Sequence, residues 1–156
     1  MPKITACEQV FKMAMEMEQV GTDFYAALAG GSDDVKVRTF CARVAGEEAK
    51  HLETFRRMLQ EYSADGHAHD VPPEAEEELR RLVAAQVQPD VRTVQKVALG
   101  GSLADALEMA MRMERDAIRF YQDLSAQVPA VAAAVRPIVK EEASHLSTLR
   151  TLAGQG

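Results

Sequence analysis

Apolar residues recur every three or four positions along four long stretches of the chain, a spacing that predicts amphipathic helices. These four helices are expected at about 5–29, 32–62, 103–125 and 128–152. Alanine, leucine, glutamate, methionine and arginine are abundant, and all five favour helix. The pattern therefore predicts an all-α protein.

Capping residues mark where the helices begin. Residues 5–8 (TACE) fit a capping box, and Ser32 and Ser102 are placed to cap the second and third long helices. A crossover, about 63–101, separates these two helices. Within it we expect a short charged helix at about 74–87 and one or two helical turns at 91–99.

The two halves of the chain repeat each other. MEMEQVGTDFYAAL at 15–28 matches MRMERDAIRFYQDL at 111–124, and EEAKHLETF at 47–55 matches EEASHLSTL at 141–149. Each repeat predicts one helical hairpin, at about 5–62 and about 102–152. Two hairpins joined by a long crossover make a four-helix bundle, so we expect a single domain over 1–156.

The composition of the chain argues against several classes of function. The net charge of −6 gives little support to nucleic-acid binding. The two cysteines, Cys7 and Cys41, form no C-x-x-C motif, which argues against a disulfide framework, a zinc ribbon or a rubredoxin-type iron site. The sequence contains no run of apolar residues long enough to span a membrane, and its first residues include no apolar signal region. We therefore expect a cytoplasmic protein that binds neither nucleic acid nor membranes.

Polar side chains interrupt each apolar stripe at mid-height, and they carry the candidate chemistry. The six residues are Glu18, Glu48, His51, Glu114, Glu142 and His145. Residues three apart share a helix face, so each Glu-x-x-His pair can point at one target. Buried carboxylates are costly unless they are paired or coordinated, and no lysine or arginine lies on these stripes.

Two divalent cations would balance four buried carboxylates, and two neutral imidazoles would complete the ligand shells. Oxygen and nitrogen ligands without thiolate suit iron or manganese. One Glu from each of two helices and Glu-x-x-His from each of the other two is the ligand pattern of di-iron carboxylate bundles. We therefore predict a two-metal site in which Glu48 and Glu142 bridge.

Several alternatives stay open at this level. Glu47 and Glu141 also lie within a turn of the histidines, although the stripe through Glu47 is rich in basic residues and looks solvated. Tyr25 and Tyr121 can either donate a hydrogen bond to a ligand or simply pack in the core. The histidines of the loop sequence GHAHD, His67 and His69, are weak candidates for a second site.

These motifs resemble the rubrerythrin branch of the ferritin-like di-iron carboxylate superfamily. The resemblance covers the four long helices and rests on the following motifs: Glu18-x-x-Gly-x-x-Phe-Tyr25, Glu47-Glu48-x-x-His51, Glu114-x-x-Ala-x-x-Phe-Tyr121 and Glu141-Glu142-x-x-His145. It implies a ferritin-like bundle. Rubrerythrins proper carry a rubredoxin domain with four iron-binding cysteines, so this sequence is expected to be an erythrin-type member without that domain. Many members also carry an extra Glu, used in peroxide chemistry, where this chain has Ala117.

The resemblance implies a non-haem di-iron oxidoreductase that reduces hydrogen peroxide or dioxygen. It would use two iron ions, with manganese or another divalent metal as the alternative, and an external electron donor protein. A homodimer or another homo-oligomer and a role in oxidative stress are expected on the same ground. Two other functions remain: a ferroxidase or iron-binding protein for iron handling or storage, and a metal-free structural bundle.

Overall fold

The computed structural model describes residues 5–65, 71–86 and 89–154, with the side chains of 63–65 left out. This part of the chain contains six helices and no strand, so the predicted all-α class is confirmed. The helices are α1 (Ala6–Gly31), α2 (Val35–Asp65), α3 (Pro73–Ala85), α4 (Val91–Gly100), α5 (Leu103–Gln127) and α6 (Pro129–Leu152).

Local hydrogen bonds explain where the long helices begin. The Thr5 hydroxyl accepts from the Glu8 N–H at 3.1 Å, and the Glu8 carboxylate accepts from the Thr5 N–H at 2.9 Å, which completes the predicted capping box. Ser102 caps α5 as predicted, because its hydroxyl accepts from the Asp105 N–H.

The prediction that Ser32 caps the second long helix is wrong. The Ser32 N–H instead closes the end of α1 on the Leu28 carbonyl at 3.0 Å. Asp34, which directly precedes the first helical residue of α2, accepts from the Val37 N–H at 3.1 Å and takes the capping role.

The core consists of two hydrophobic clusters with a polar layer between them. One cluster includes Phe11, Phe55 and Val135, and the other includes Phe24 and Val44. Helix α1 packs most extensively against α2, and α5 against α6, while α3 and α4 lie against α1 and α5. The polar layer therefore sits at mid-height, screened from solvent above and below by apolar side chains.

Three further predictions concern residues outside this layer. Among the described residues, no helix is both long and apolar enough to cross a bilayer. Cys7 and Cys41 are buried and free, and burial raises the pKa of each thiol to about 12, which leaves them unreactive. His67 and His69 lie outside the described residues.

Candidate metal centre

The structure brings all six predicted polar residues into one layer in the middle of the bundle. They are Glu18 from α1, Glu48 and His51 from α2, Glu114 from α5, and Glu142 and His145 from α6. Each residue exposes 4% of its surface or less. A carboxylate at such a depth requires a proton, a cation or a strong hydrogen bond to be tolerated.

These residues form two overlapping groups, each able to hold one metal ion. The first group is Glu18, Glu48, His51 and Glu142, and the second is Glu48, Glu114, Glu142 and His145. Within each group, one ligand atom from every residue lies within 4.8 Å of the others. Because Glu48 and Glu142 belong to both groups, the geometry is that of a two-metal site with shared carboxylates.

Unpartnered polar atoms in the layer indicate whether the site suits metal ions. Five buried polar atoms of the layer have no hydrogen-bond partner: Glu18 Oε2, His51 Nδ1, Glu114 Oε2, Glu142 Oε1 and His145 Nδ1. Buried polar atoms are almost always satisfied in folded proteins. The His51 Nδ1 atom nevertheless faces carboxylate oxygens at 2.9 to 3.5 Å. Unsatisfied lone pairs that converge in this way fit a pair of divalent cations.

The two tyrosines connect the halves of the chain. The Tyr25 hydroxyl on α1 donates to Glu114 Oε1 on α5 at 2.6 Å, and the Tyr121 hydroxyl on α5 donates to Glu18 Oε1 on α1 at 2.5 Å. Burial, followed by the neighbouring carboxylates, raises the pKa of both hydroxyls, so they stay protonated and act as donors. Each bond fixes one carboxylate oxygen and leaves the other free to bind a cation.

A similar pair of crossed contacts orients the histidines. His145 Nε2 lies 2.6 Å from Glu47 Oε2 on α2, and His51 Nε2 contacts Glu141 Oε2 on α6. The Glu47 and Glu141 side chains are 28% and 53% exposed, so both carboxylates also reach solvent. In the neutral ring that a metal ion requires, Nε2 would donate its proton to this carboxylate and Nδ1 would be left unprotonated towards the metal layer.

Sequence reasoning weighed Glu47 and Glu141 only as ligands or as solvated residues, and it missed this contact. The available signal was the repetition of the Glu-Glu pair in both halves. A second carboxylate repeated beside each ligand, one turn before a histidine, suggests a partner for the imidazole of the facing helix.

Glu47→Gln and Glu141→Gln are each expected to weaken metal binding by about 10–100-fold, because the imidazole loses the carboxylate that fixes its tautomer. Competition titration of Mn²⁺ against a chelator measures this change. Glu53→Gln is the matched control, since Glu53 lies on α2 and pairs with the exposed Arg56. Affinities equal to that of the control would show that these contacts do not orient the ligands.

Without metal, the layer holds protons in place of cations. Burial, and next the charge of nearby carboxylates, raises the pKa of Glu18, Glu114 and Glu142. Burial opposes the charging of His145, but its contacts with Glu114 and Glu48 outweigh this and raise its pKa to about 10. The pKa of Glu48 is lowered despite burial, because Glu18 and both histidines contact it.

Metal uptake is therefore expected to release protons, and the affinity should rise with pH up to the pKa of His145, about 10. The sign follows from the raised pKa values: the folded metal-free protein holds protons on carboxyl and imidazole groups that a cation must displace. A pH indicator in weakly buffered solution measures the release on adding Mn²⁺. Uptake without proton release would contradict the protonated metal-free site.

A small cavity of about 30 Å³ opens on the polar layer. All four carboxylates and both tyrosines line it, together with Gly21 on α1 and Ala117 on α5. The lack of larger side chains at these last two positions keeps a passage open between the helices. This volume has room for one small molecule of about the size of water or dioxygen.

A helical bundle with these two overlapping Glu and His groups fits the class of di-metal carboxylate proteins. The family model for rubrerythrin matches residues 9–153, so the chain belongs to the rubrerythrin family, within the ferritin-like proteins. Comparison with curated proteins and with solved structures gave no match. The predicted family is thus confirmed, and a di-metal site is the centre that the family and the layer support together.

Proposed function

We propose that this protein is a non-haem di-iron oxidoreductase that reduces hydrogen peroxide or dioxygen. The observation that carries this proposal is the cavity on the polar layer, because it gives a small oxidant direct access to both ligand groups. A site that only held metal for structural reasons would be closed around its ions. The reduction of peroxide or dioxygen that the resemblance to rubrerythrins implies adds support.

The proposed ligand assignment follows the two groups. Glu18 and His51 would bind one ion, Glu114 and His145 the other, and Glu48 and Glu142 both. A ferrous pair supplies two electrons to a single oxidant when it is bound. The chain itself fixes the ligand oxygens through Tyr25 and Tyr121, fixes the imidazoles through Glu47 and Glu141, and excludes bulk water with its two apolar clusters.

The electrons must come from a separate donor protein in this proposal. Neither Cys7 nor Cys41 is suited to redox exchange, because both thiols are buried and hold their protons. A homodimer or another homo-oligomer stays part of the proposal, as in the family.

Stopped-flow mixing tests the function directly. The protein is loaded with two equivalents of Fe²⁺ without oxygen and is then mixed with hydrogen peroxide or with dioxygen. We expect stoichiometric oxidation of both ions, faster with peroxide, and re-reduction by an added electron donor. Glu142→Ala is the matched variant that should lose the fast phase.

The alternatives give different results in the same experiment. Faster reaction with dioxygen, followed by accumulation of ferric mineral in a particle of many subunits, would favour a ferroxidase that stores iron. Failure of both oxidants to oxidise the bound iron would refute the oxidoreductase. Failure to bind metal at all would favour the structural bundle.

A further inference from the structure

An apolar groove lies beside the cavity on the metal layer. It runs between α1 and α4 and encloses about 270 Å³. Its apolar walls include Val20, Phe24 and Ala27 from α1, and Val94 and Ala98 from α4. This volume is close to that of pockets that bind small organic ligands.

The groove and the cavity are adjacent, since Val20 and Pro89 line both. The internal repeat shows that the residues lining the cavity differ between its two sides. Asp116 is the repeat equivalent of Val20, and it lines the same cavity on the α5 side. The cavity is therefore apolar at Val20 on the α1 side, where it continues into the groove, and carries the carboxylate of Asp116 on the α5 side.

We propose that the groove holds the organic group of a neutral alkyl or arylalkyl hydroperoxide, with the O–O group placed in the cavity. The assignment rests on the proposed oxidoreductase function and names its substrate class. Apolar walls stabilise a hydrocarbon group by removing it from water. The groove edge carries Glu16 and Asp23, whose charges disfavour a hydroperoxide that bears a carboxylate.

The proposed reaction is the two-electron reduction of the hydroperoxide to an alcohol and water. The O–O bond of the hydroperoxide breaks, one oxygen leaves as water and the other remains on carbon as the alcohol. Two electrons would come from a bound ferrous pair, which would become ferric, and two protons would come from solvent. The external donor then returns two electrons to the metal pair.

Binding to the metal-free protein gives a readout that is independent of activity. The probe is cumyl alcohol, the alcohol formed from cumene hydroperoxide, and methyl NMR reports its position. We expect shifts confined to the methyl groups that line the groove, at Val20, Ala27, Val91, Val94 and Ala98. Ala27→Glu should weaken binding by about tenfold or more, because it places a charge against the hydrocarbon group. Ala26→Glu is the control, since Ala26 is exposed and does not line the groove.

The iron-loaded protein gives the second readout, as the ratio of oxidation rates with cumene hydroperoxide and with hydrogen peroxide. Ala27→Glu should lower this ratio by about tenfold and leave the rate with hydrogen peroxide unchanged. Val20→Asp, which copies the residue of the second repeat, should lower the ratio in the same way. Ala26→Glu should keep the wild-type ratio.

The outcomes separate this inference from the proposed function. Oxidation by hydrogen peroxide with no binding of cumyl alcohol, or with a ratio that Ala27→Glu leaves unchanged, would overturn the groove assignment alone. No oxidation by any peroxide would refute the proposed function and the hydroperoxide assignment together. Binding in the groove together with a lowered ratio in both groove variants supports the assignment.

Discussion

Glu48→Ala and Glu142→Ala are each expected to abolish binding of a metal pair and to leave about one ion per chain or less. Both residues belong to both ligand groups, so each change removes an oxygen from two sites at once. The affinity for any remaining ion should fall by more than about 100-fold. Loss of a residue that only orients a ligand lowers metal affinity by about 10–100-fold, and loss of a ligand itself should cost more. Metal analysis after loading and desalting measures the stoichiometry.

The adjacent glutamates supply the matched controls for this experiment. Glu47→Ala and Glu141→Ala should still bind two ions at saturation, because these carboxylates contact the outer nitrogen of a histidine. Circular dichroism checks that each variant keeps its helices. Two ions retained in either Glu48→Ala or Glu142→Ala would show that the choice between neighbouring glutamates is wrong.

Metal loading is expected to raise the melting temperature of the wild-type protein by about 8–16 °C. One ion present at a thousandfold excess over its Kd adds about 4 kcal/mol to the free energy of unfolding, and each kcal/mol shifts the melting temperature by about 2–4 °C at this chain length. Thermal melts with chelator and with excess Mn²⁺ provide the comparison. Identical melts in both would refute a buried metal site.

Glu142→Gln is expected to raise the melting temperature of the metal-free protein. The raised pKa of Glu142 means that its contribution to stability is present at low pH and is lost as the pH rises through its folded value. Gln copies the protonated carboxyl without that loss. The variant should therefore melt above the metal-free wild type at about pH 8, while losing the gain from Mn²⁺. A metal-free variant that melts below the wild type would contradict this sign.

The sequence was sufficient to place the six layer residues, for a physical reason. A charged residue on an apolar stripe must be buried, and the repeat shows that this happens at the same height in both halves. Helical periodicity therefore predicted Glu18 and Glu114 as well as the Glu-x-x-His pairs. The structure brings all six together.

The partners across the bundle could not be predicted in the same way. Periodicity gives the face on which Tyr25 lies, but it does not give the residue opposite. The sequence places Tyr25 two turns from Glu18 on its own helix, whereas its hydroxyl donates to Glu114 of α5. Periodicity likewise does not predict the contact between Glu47 and His145, because the approach of α2 to α6 depends on packing throughout the bundle.

The crossed contacts have a consequence for the origin of the chain. Tyr25 holds Glu114, Tyr121 holds Glu18, Glu47 holds His145 and Glu141 holds His51, so every such bond joins one repeat to the other. Neither repeat can complete its own hydrogen bonds. An ancestral half-length chain would have required a second copy of itself to form the layer. Fusion of two such copies would make that pairing permanent, and it would allow the two sides of the cavity to become different.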